Sequence, residues 1–315
     1  MKQLHETANK IRCMEIRGAG RIARSVAAEL RDYSQRIETQ DLKEFNEKMR
    51  YAAQLLLNTR PTAVSLPNAV RWVMRYKAST VDEARKQIKR LADEFISNSN
   101  NAVKRIGKIG ARRVKDGDTI MTHCNSSAAI SIIAEAHAQG KHIHVIATES
   151  RPRMQGHLTI QQLDSIGIKT CLIVDSAVRF FMKQVDLVIM GADAVTANGS
   201  VINKIGTSQL ALAAHETRTN VVIAAETYKF SPRTLLGELV EIEERDTGEV
   251  INPEKLKSLS NVYVKNPAFD VTPREYIDLI VTEVGAIPPE MAYLIIKDFL
   301  GWGIEEINEG KNHHL

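Results

Sequence analysis

Two side chains in this sequence are best placed for proton transfer: a cysteine ending one apolar run and an aspartate ending another. Cys124 stands in THCNSSAAI, where an apolar stretch meets a helical one. A thiol at a helix start feels the positive end of the helix dipole, which favours thiolate and lowers its pKa, so Cys124 can act as nucleophile or general base. The position equally suits a small buried hydrophobe, which is how most free cysteines behave. His123 can polarise the thiol, but strand alternation turns it to the other face, and a structural role is expected. Asp193, in MGADAVTANGS, follows a second apolar run in a long loop bearing Gly191 and Gly199. Partial desolvation there raises a carboxyl pKa and keeps a proton available for donation. An Asx-turn or a cap is the other common use of an aspartate after glycine.

Around these two lie groups suited to an anion. Asn125, Ser126 and Ser127 offer an amide, hydroxyls and backbone N–H groups at a helix N-terminus, and they are equally at home as plain helix caps. INKIGT supplies Asn203 and Lys204 at the start of a further helix, where an amide and an ammonium can hold hydroxyls or phosphate. RGAG sets Arg17 beside the freed backbone of Gly18, Ala19 and Gly20, either a phosphate cradle or a helix kink. Arg60, stiffened by Pro61, is a second guanidinium fork. Lys229 in ETYKF and Arg151 in ESRP complete the cations, each with a surface or interface charge as its alternative.

The elements that must position these groups follow two rhythms. From residue 1 to about 115 the apolar spacing is helical, as in IARSVAAEL and FNEKMRYAAQLLL. RGAG interrupts the first helical pattern, and NTRPTAVSLPNAV (58–70) is expected to be a loop kept from helicity by Pro61 and Pro67. After KDGD (115–118) short apolar runs alternate with helical segments: TIMTH, IHVIAT, TCLIV, LVIM and VVIAAE. Strands of that kind, buried on both faces, form a parallel sheet with crossover helices. The expected fold is α/β: a helical N-terminal domain (1–115) followed by a Rossmann-like doubly wound parallel-sheet domain (116–315). Ligands collect beyond the carboxyl ends of such strands. Five runs there carry polar or reactive groups: HCNSS, ESRP, DSAVR, GADAVTANGS and ETYKF.

Composition narrows the class. The 315 residues are 43% hydrophobic and 25% charged with a net charge of +4, which describes a globular chain with no block of basic residues for nucleic acid. A local anion site fits that balance better. Cys13, Cys124 and Cys171 are odd in number with no CxxC spacing, which points away from a disulfide framework or zinc site and toward a reducing, cytoplasmic compartment. No run has the roughly 18 apolar residues of a membrane span, and the N-terminus lacks an export signal's apolar segment.

RGAG, THCNSSAA, ATESRP, VIMGADAVTANGSVINKIGT and IAAETYKF, in that order, resemble one superfamily. It joins regulatory subunits of the translation-initiation guanine-nucleotide-exchange factor to methylthioribose-1-phosphate isomerase. Within it the chain is most similar to the archaeal ribose-1,5-bisphosphate isomerases, a likeness that extends to AFDVTPREYIDLIVTEVGAIPP (268–289). The cysteine together with the aspartate of GAD sets the isomerases apart from the regulatory subunits. The resemblance implies Cys124 as proton acceptor and Asp193 as proton donor. It implies Arg17, Gly18, Ala19, Gly20, Arg60, Asn125, Ser126, Ser127, Asn203, Lys204 and Lys229 as holders of a sugar phosphate. Two phosphate seats are expected: Arg17 to Gly20 with Arg60 for the C1 phosphate, and Asn125 to Ser127 with Lys229 for the C5 phosphate. It further implies no metal or redox cofactor, an AMP activator, a role in nucleotide degradation, and a homo-oligomer built from dimers, up to a hexamer. Methylthioribose-1-phosphate isomerase and a non-catalytic regulatory subunit stand as the alternatives.

Overall fold

A computed structural model describes residues 1–300 apart from positions 17, 61, 62 and 238. The helical half comprises α1 (Lys2–Arg12), α2 (Ala19–Arg36), α3 (Leu42–Leu57), α4 (Ser65–Met74) and α5 (Val81–Gly110). Each buries one apolar stripe; on α2 these are Ile22, Ala23, Val26, Ala27 and Leu30, packed against α4 and α5. Thr80 caps α5 by accepting from the Glu83 N–H, and Glu83 reaches back to the Ser79 N–H, a reciprocal cap written in the sequence as TVDE. The stretch expected as a loop over 58–70 ends early, because α4 begins at Ser65. Pro67 lies in its first turn, where a missing N–H costs no intrahelical bond.

α5 is about 45 Å long at 1.5 Å per residue and joins the two halves. Its first turns bury Val81, Ala84 and Ile88 in the helical core, whereas Ile106 belongs to a core under the sheet. Beyond it run β1 (Thr119–Thr122), α6 (Ser127–Ala138), β2 (His144–Thr148), α7 (Gly156–Asp164), β3 (Thr170–Ile173), α8 (Val178–Phe181) and β4 (Leu187–Gly191). They are followed by β5 (Ala194–Val195), β6 (Val201–Lys204), α9 (Thr207–Thr217), β7 (Asn220–Ala224), β8 (Phe269–Thr272), β9 (Leu279–Thr282) and β10 (Gly285–Ile287).

The main sheet has seven strands in the order β10-β9-β7-β4-β1-β2-β3, parallel except for β10. Adjacent residues feed opposite faces: Ile120, Val145 and Ile189 pack toward α6, and Met121, Ile146 and Met190 pack toward α8 and α9. Both faces are covered, so the strands read as unbroken apolar runs. The chain steps outward from β1 through β2 to β3, then returns to start β4 on the other side of β1. That reversal is a topological switch point, and it opens a crevice between the carboxyl ends of β1 and β4. A second, antiparallel sheet of β5, β6 and β8 stands over the same end.

Candidate active site

The crevice at the switch point continues into a cavity of about 520 Å³ closed from the other side by the helical half. Cys124 follows β1 and Asp193 follows β4, so the two strands that flank the reversal each deliver one ionisable group. Gly18, Ala19, Gly20 and Arg60 reach the cavity from the helical half; Asn125, Ser126, Ser127, Asn203, Lys204 and Lys229 reach it from the sheet half. Arg17 lies outside the described residues.

Cys124 is held in the left-handed region, φ 66°, which a residue with a Cβ adopts only when its surroundings insist. The constraint comes from both sides of the residue. Its N–H donates to Ser150 Oγ at 2.7 Å, and its carbonyl accepts from Thr159 Oγ1 at 2.7 Å. Beneath it His123 is buried, with Nδ1 2.6 Å from Thr148 Oγ1 and Nε2 2.8 Å from the Ile205 carbonyl, so both ring nitrogens serve the scaffold. Burial lowers the His123 pKa, and the neutral ring is the form the site keeps.

The thiol departs from the sequence-based expectation. Helix α6 begins three residues later, capped by Ser126, and burial pushes the Cys124 thiol up to about 11, with Lys204 the nearest cation drawing it down. Desolvation therefore outweighs the helix dipole. Lys204 itself lies on β6, not at a helix start, as does Asn203. Strand pairing with β8 places Lys204 opposite Phe269. Its Nζ donates to the Ala268 carbonyl at 3.1 Å and sits 5.0 Å from the centre of the Phe269 ring. Among the described residues Lys204 has no carboxylate within ion-pair distance, and burial lowers its pKa.

Asp193 lies in the two-residue link between β4 and β5 rather than in a long loop, and its N–H donates to the Ile202 carbonyl across the β5–β6 hairpin. Burial raises its carboxyl pKa; Lys229, Lys204, Arg60 and Arg245 oppose that, in descending order. Lys229 is brought alongside by the backbone, because Phe230 bridges Val195 and the Ser231 N–H donates to the Val195 carbonyl. Its ammonium is paired with Glu226 at 2.7 Å, both side chains being more than nine-tenths buried. Tyr228 donates to the other oxygen of Glu226 at 3.0 Å and accepts from Ser99, which in turn accepts from Arg24.

Several candidates are differently employed than their sequence positions suggested. Asn125 spends its amide hydrogens on Thr159 and Gln162 of α7, and Asn203 donates to Thr207. Ser126 caps α6 by accepting from the Ala129 N–H, and only a glycine at position 191 leaves room for its hydroxyl. Arg60 pairs with Glu243 and also reaches the Met14 sulfur. Arg151 is exposed and does not line the cavity; Arg153, paired with Glu249, lines it instead. The cation that draws on the thiol is Lys204, and the carboxyl is drawn on by Lys229 and then Lys204. Glu226 is a lining residue that stood unremarked in ETYKF, and Arg24, Arg153 and Arg245 are lining residues that no local motif announced. Their signal lay in distant helices and loops that only folding brings to one wall. Cys13 is exposed and Cys171 lies on β3, both away from the cavity. Among the described residues no three His, Cys, Asp or Glu side chains are grouped to hold a metal ion.

A helical N-terminal region packed over the switch point of a mostly parallel sheet, with a thiol and a carboxyl following the two flanking strands, defines an α/β protein with a cation-lined cavity. The chain matches the Initiation factor 2 subunit family over residues 15–289 and belongs to it. It is 59% identical over 307 residues to ribose 1,5-bisphosphate isomerase of Archaeoglobus fulgidus, covering 97% of this chain and 96% of that one. Among solved structures it is similar to the translation initiation factor eIF-2B of Pyrococcus horikoshii OT3, with a TM-score of 0.79, 32% identity and coverage of 92% of this chain and 98% of that one. It is also similar to 5-methylthioribose 1-phosphate isomerase of the same organism, with a TM-score of 0.73, 30% identity and coverage of 95% and 87%.

Proposed function

We propose that this protein is an isomerase that converts ribose 1,5-bisphosphate to ribulose 1,5-bisphosphate. The observation that carries the reading is the pairing of Cys124 with Asp193 across one cation-lined cavity, in a chain so similar to a relative named for that activity. In the reaction the C1–O4 bond opens as the ring oxygen takes a proton, and C2 gives its proton to the Cys124 sulfur. The electrons form an enediolate-type intermediate, C1 receives a proton from Asp193, and O2 releases its own as the C2 carbonyl forms. Two protons leave the substrate and two arrive, so an acid and a base suffice. Cations and backbone donors around the intermediate stabilise its negative charge.

Two helix N-termini open on the cavity, those of α2 and α6. Each is a ready seat for a phosphate, which favours a bisphosphate over a substrate with an apolar C5 thioether. Gly18 to Gly20 with Arg60 serve the first, and Asn125 to Ser127 serve the second. The same likeness supports a cytoplasmic homo-oligomer, an AMP-responsive activity, and a place between nucleoside monophosphate phosphorolysis and a ribulose-bisphosphate carboxylase. For location, no helix among the described residues is long and apolar enough to cross a membrane.

The test is incubation of the purified protein with ribose 1,5-bisphosphate and methylthioribose 1-phosphate separately, following ketose formation by carbon NMR. Turnover of the bisphosphate with little or none of the monophosphate is expected. The reverse preference would reassign the substrate, and no turnover of either would favour a binding subunit.

A further inference from the structure

Glu226 is a buried carboxylate at the wall of the cavity with no part in the proton transfers above. Its place follows from the sheet. β4 and β7 are parallel neighbours whose last paired residues are Gly191 and Ala224. Asp193 and Glu226 each stand two residues further on, so two carboxyl groups emerge side by side beyond the same rung. The ammonium of Lys229, the cation with the largest pull on Asp193, is bonded to Glu226 at 2.7 Å. The arrangement is locked from the helical half: Asn68 on α4 donates to the carbonyls of Tyr228 and Phe230, and Tyr228 is fixed between Glu226 and Ser99.

We propose that Glu226 is a positioning residue that holds Lys229 in an ion pair and so keeps that lysine from pairing with Asp193, leaving the carboxyl free to hold the proton it must donate. The proposal rests on the reading of Asp193 as the acid. The other charged groups facing Asp193 are Lys204 on β6, Arg60 between α3 and α4, Arg245 ahead of β8, and Cys124 beyond β1. Arg60 and Arg245 both have Glu243 as a partner, and Lys204 draws on Cys124 as well as on Asp193, more weakly on the carboxyl than Lys229 does. Facing Glu226 are Lys229, Tyr228, Arg24 on α2, whose guanidinium donates to Ser99, and Glu283, which accepts from Thr227. Lys229 is therefore the one strong counter-ion whose allegiance a single substitution can switch.

The consequence has a distinctive form. Active enzyme has a protonated Asp193 and an ionised Cys124, the reverse of the ordinary order of a carboxyl and a thiol; burial raises both, the thiol to about 11. For such a reversed pair the plateau of kcat/KM scales with the separation of the two pKa values, and the acid limb marks the carboxyl. In Glu226→Gln the lysine turns to Asp193 and lowers its pKa. A drop of about one unit moves the acid limb down by about one pH unit and lowers the plateau about tenfold, while the curves merge at the acid end. Lys229→Met acts in the opposite sense, moving the acid limb up.

The experiment measures both variants and the wild type in two ways: kcat/KM against pH with ribose 1,5-bisphosphate, and the protonated-carboxyl infrared band of Asp193, identified by its loss in Asp193→Asn. Opposite displacements of that band's titration by the two substitutions support the proposal. A Glu226→Gln variant with an unmoved band, or with a loss equal at every pH, overturns it. If Glu226→Gln does not fold, the upward displacement in Lys229→Met is required, and an unmoved band there is equally fatal. Because the infrared titration needs no substrate, a failure to turn over the bisphosphate would sink the assigned reaction and leave this result standing by itself.

Discussion

The end of β6 and the turn after β7 each carry a buried lysine beside an ionisable group of the cavity, yet the two lysines are treated differently. Lys204, which draws on Cys124, has a carbonyl and an aromatic ring for company. Lys229, which draws on Asp193, is matched by Glu226. An uncompensated cation favours the anion beside it, whereas a compensated one leaves burial as the dominant influence. Burial is the larger influence at both groups and raises both pKa values; the lysines differ in whether a carboxylate holds them.

The largest expected effect removes the reacting groups themselves. Cys124→Ser and Asp193→Asn should each lower kcat by about 10²- to 10⁴-fold, the range for loss of a general acid or base, with substrate affinity by calorimetry changed far less. Near wild-type turnover in either variant would break the comparison at its root.

A smaller effect separates the two lysines. In a background with Cys13 and Cys171 replaced by serine, alkylation of Cys124 by iodoacetamide should rise about tenfold per pH unit until the thiol ionises near 11. Lys204→Met should slow that alkylation at a given pH and lower kcat by roughly 10²-fold, as loss of a buried electrostatic stabiliser does. Lys229→Met should leave the alkylation rate close to that of the background. Equal slowing by both substitutions would mean that the lysines do not discriminate between thiol and carboxyl.

The smallest effect is on stability and has a sign set by the raised carboxyl pKa. A group whose folded pKa exceeds its unfolded one favours folding below the unfolded value, and that contribution is lost as pH rises through the folded value. Asp193 therefore weighs against the fold at neutral pH, where the unfolded chain ionises it freely. Asp193→Asn should melt higher than the wild type at neutral pH, and the gap should close on acidification. A gap that widens toward acid would contradict a carboxyl held protonated by burial.

The sequence by itself determined the chemistry-bearing turns and the layer that carries them. TIMT, HVIAT, LVIM and NVVIA are short apolar runs buried on both faces, and that burial is written directly in the residues, while TCLI at the sheet edge leaves Leu172 exposed. The strands of the second sheet were not legible, because VINK and FDVT are mixed in polarity and pair with each other only across a long separation. Those strands moved Asn203 and Lys204 from a helix start to a strand, and so toward the thiol. Pro67 suggested a loop because its tolerance depends on its position within the first turn of α4. The tertiary structure also decided the protonation of the two reacting groups. A pKa answers to the water excluded and the charges within a few ångströms, and at Cys124 and Asp193 those come from segments as far apart in the chain as Arg60, Lys204 and Lys229. Residue types announced that a thiol and a carboxyl were present; which partner each lysine took could be settled only by folding.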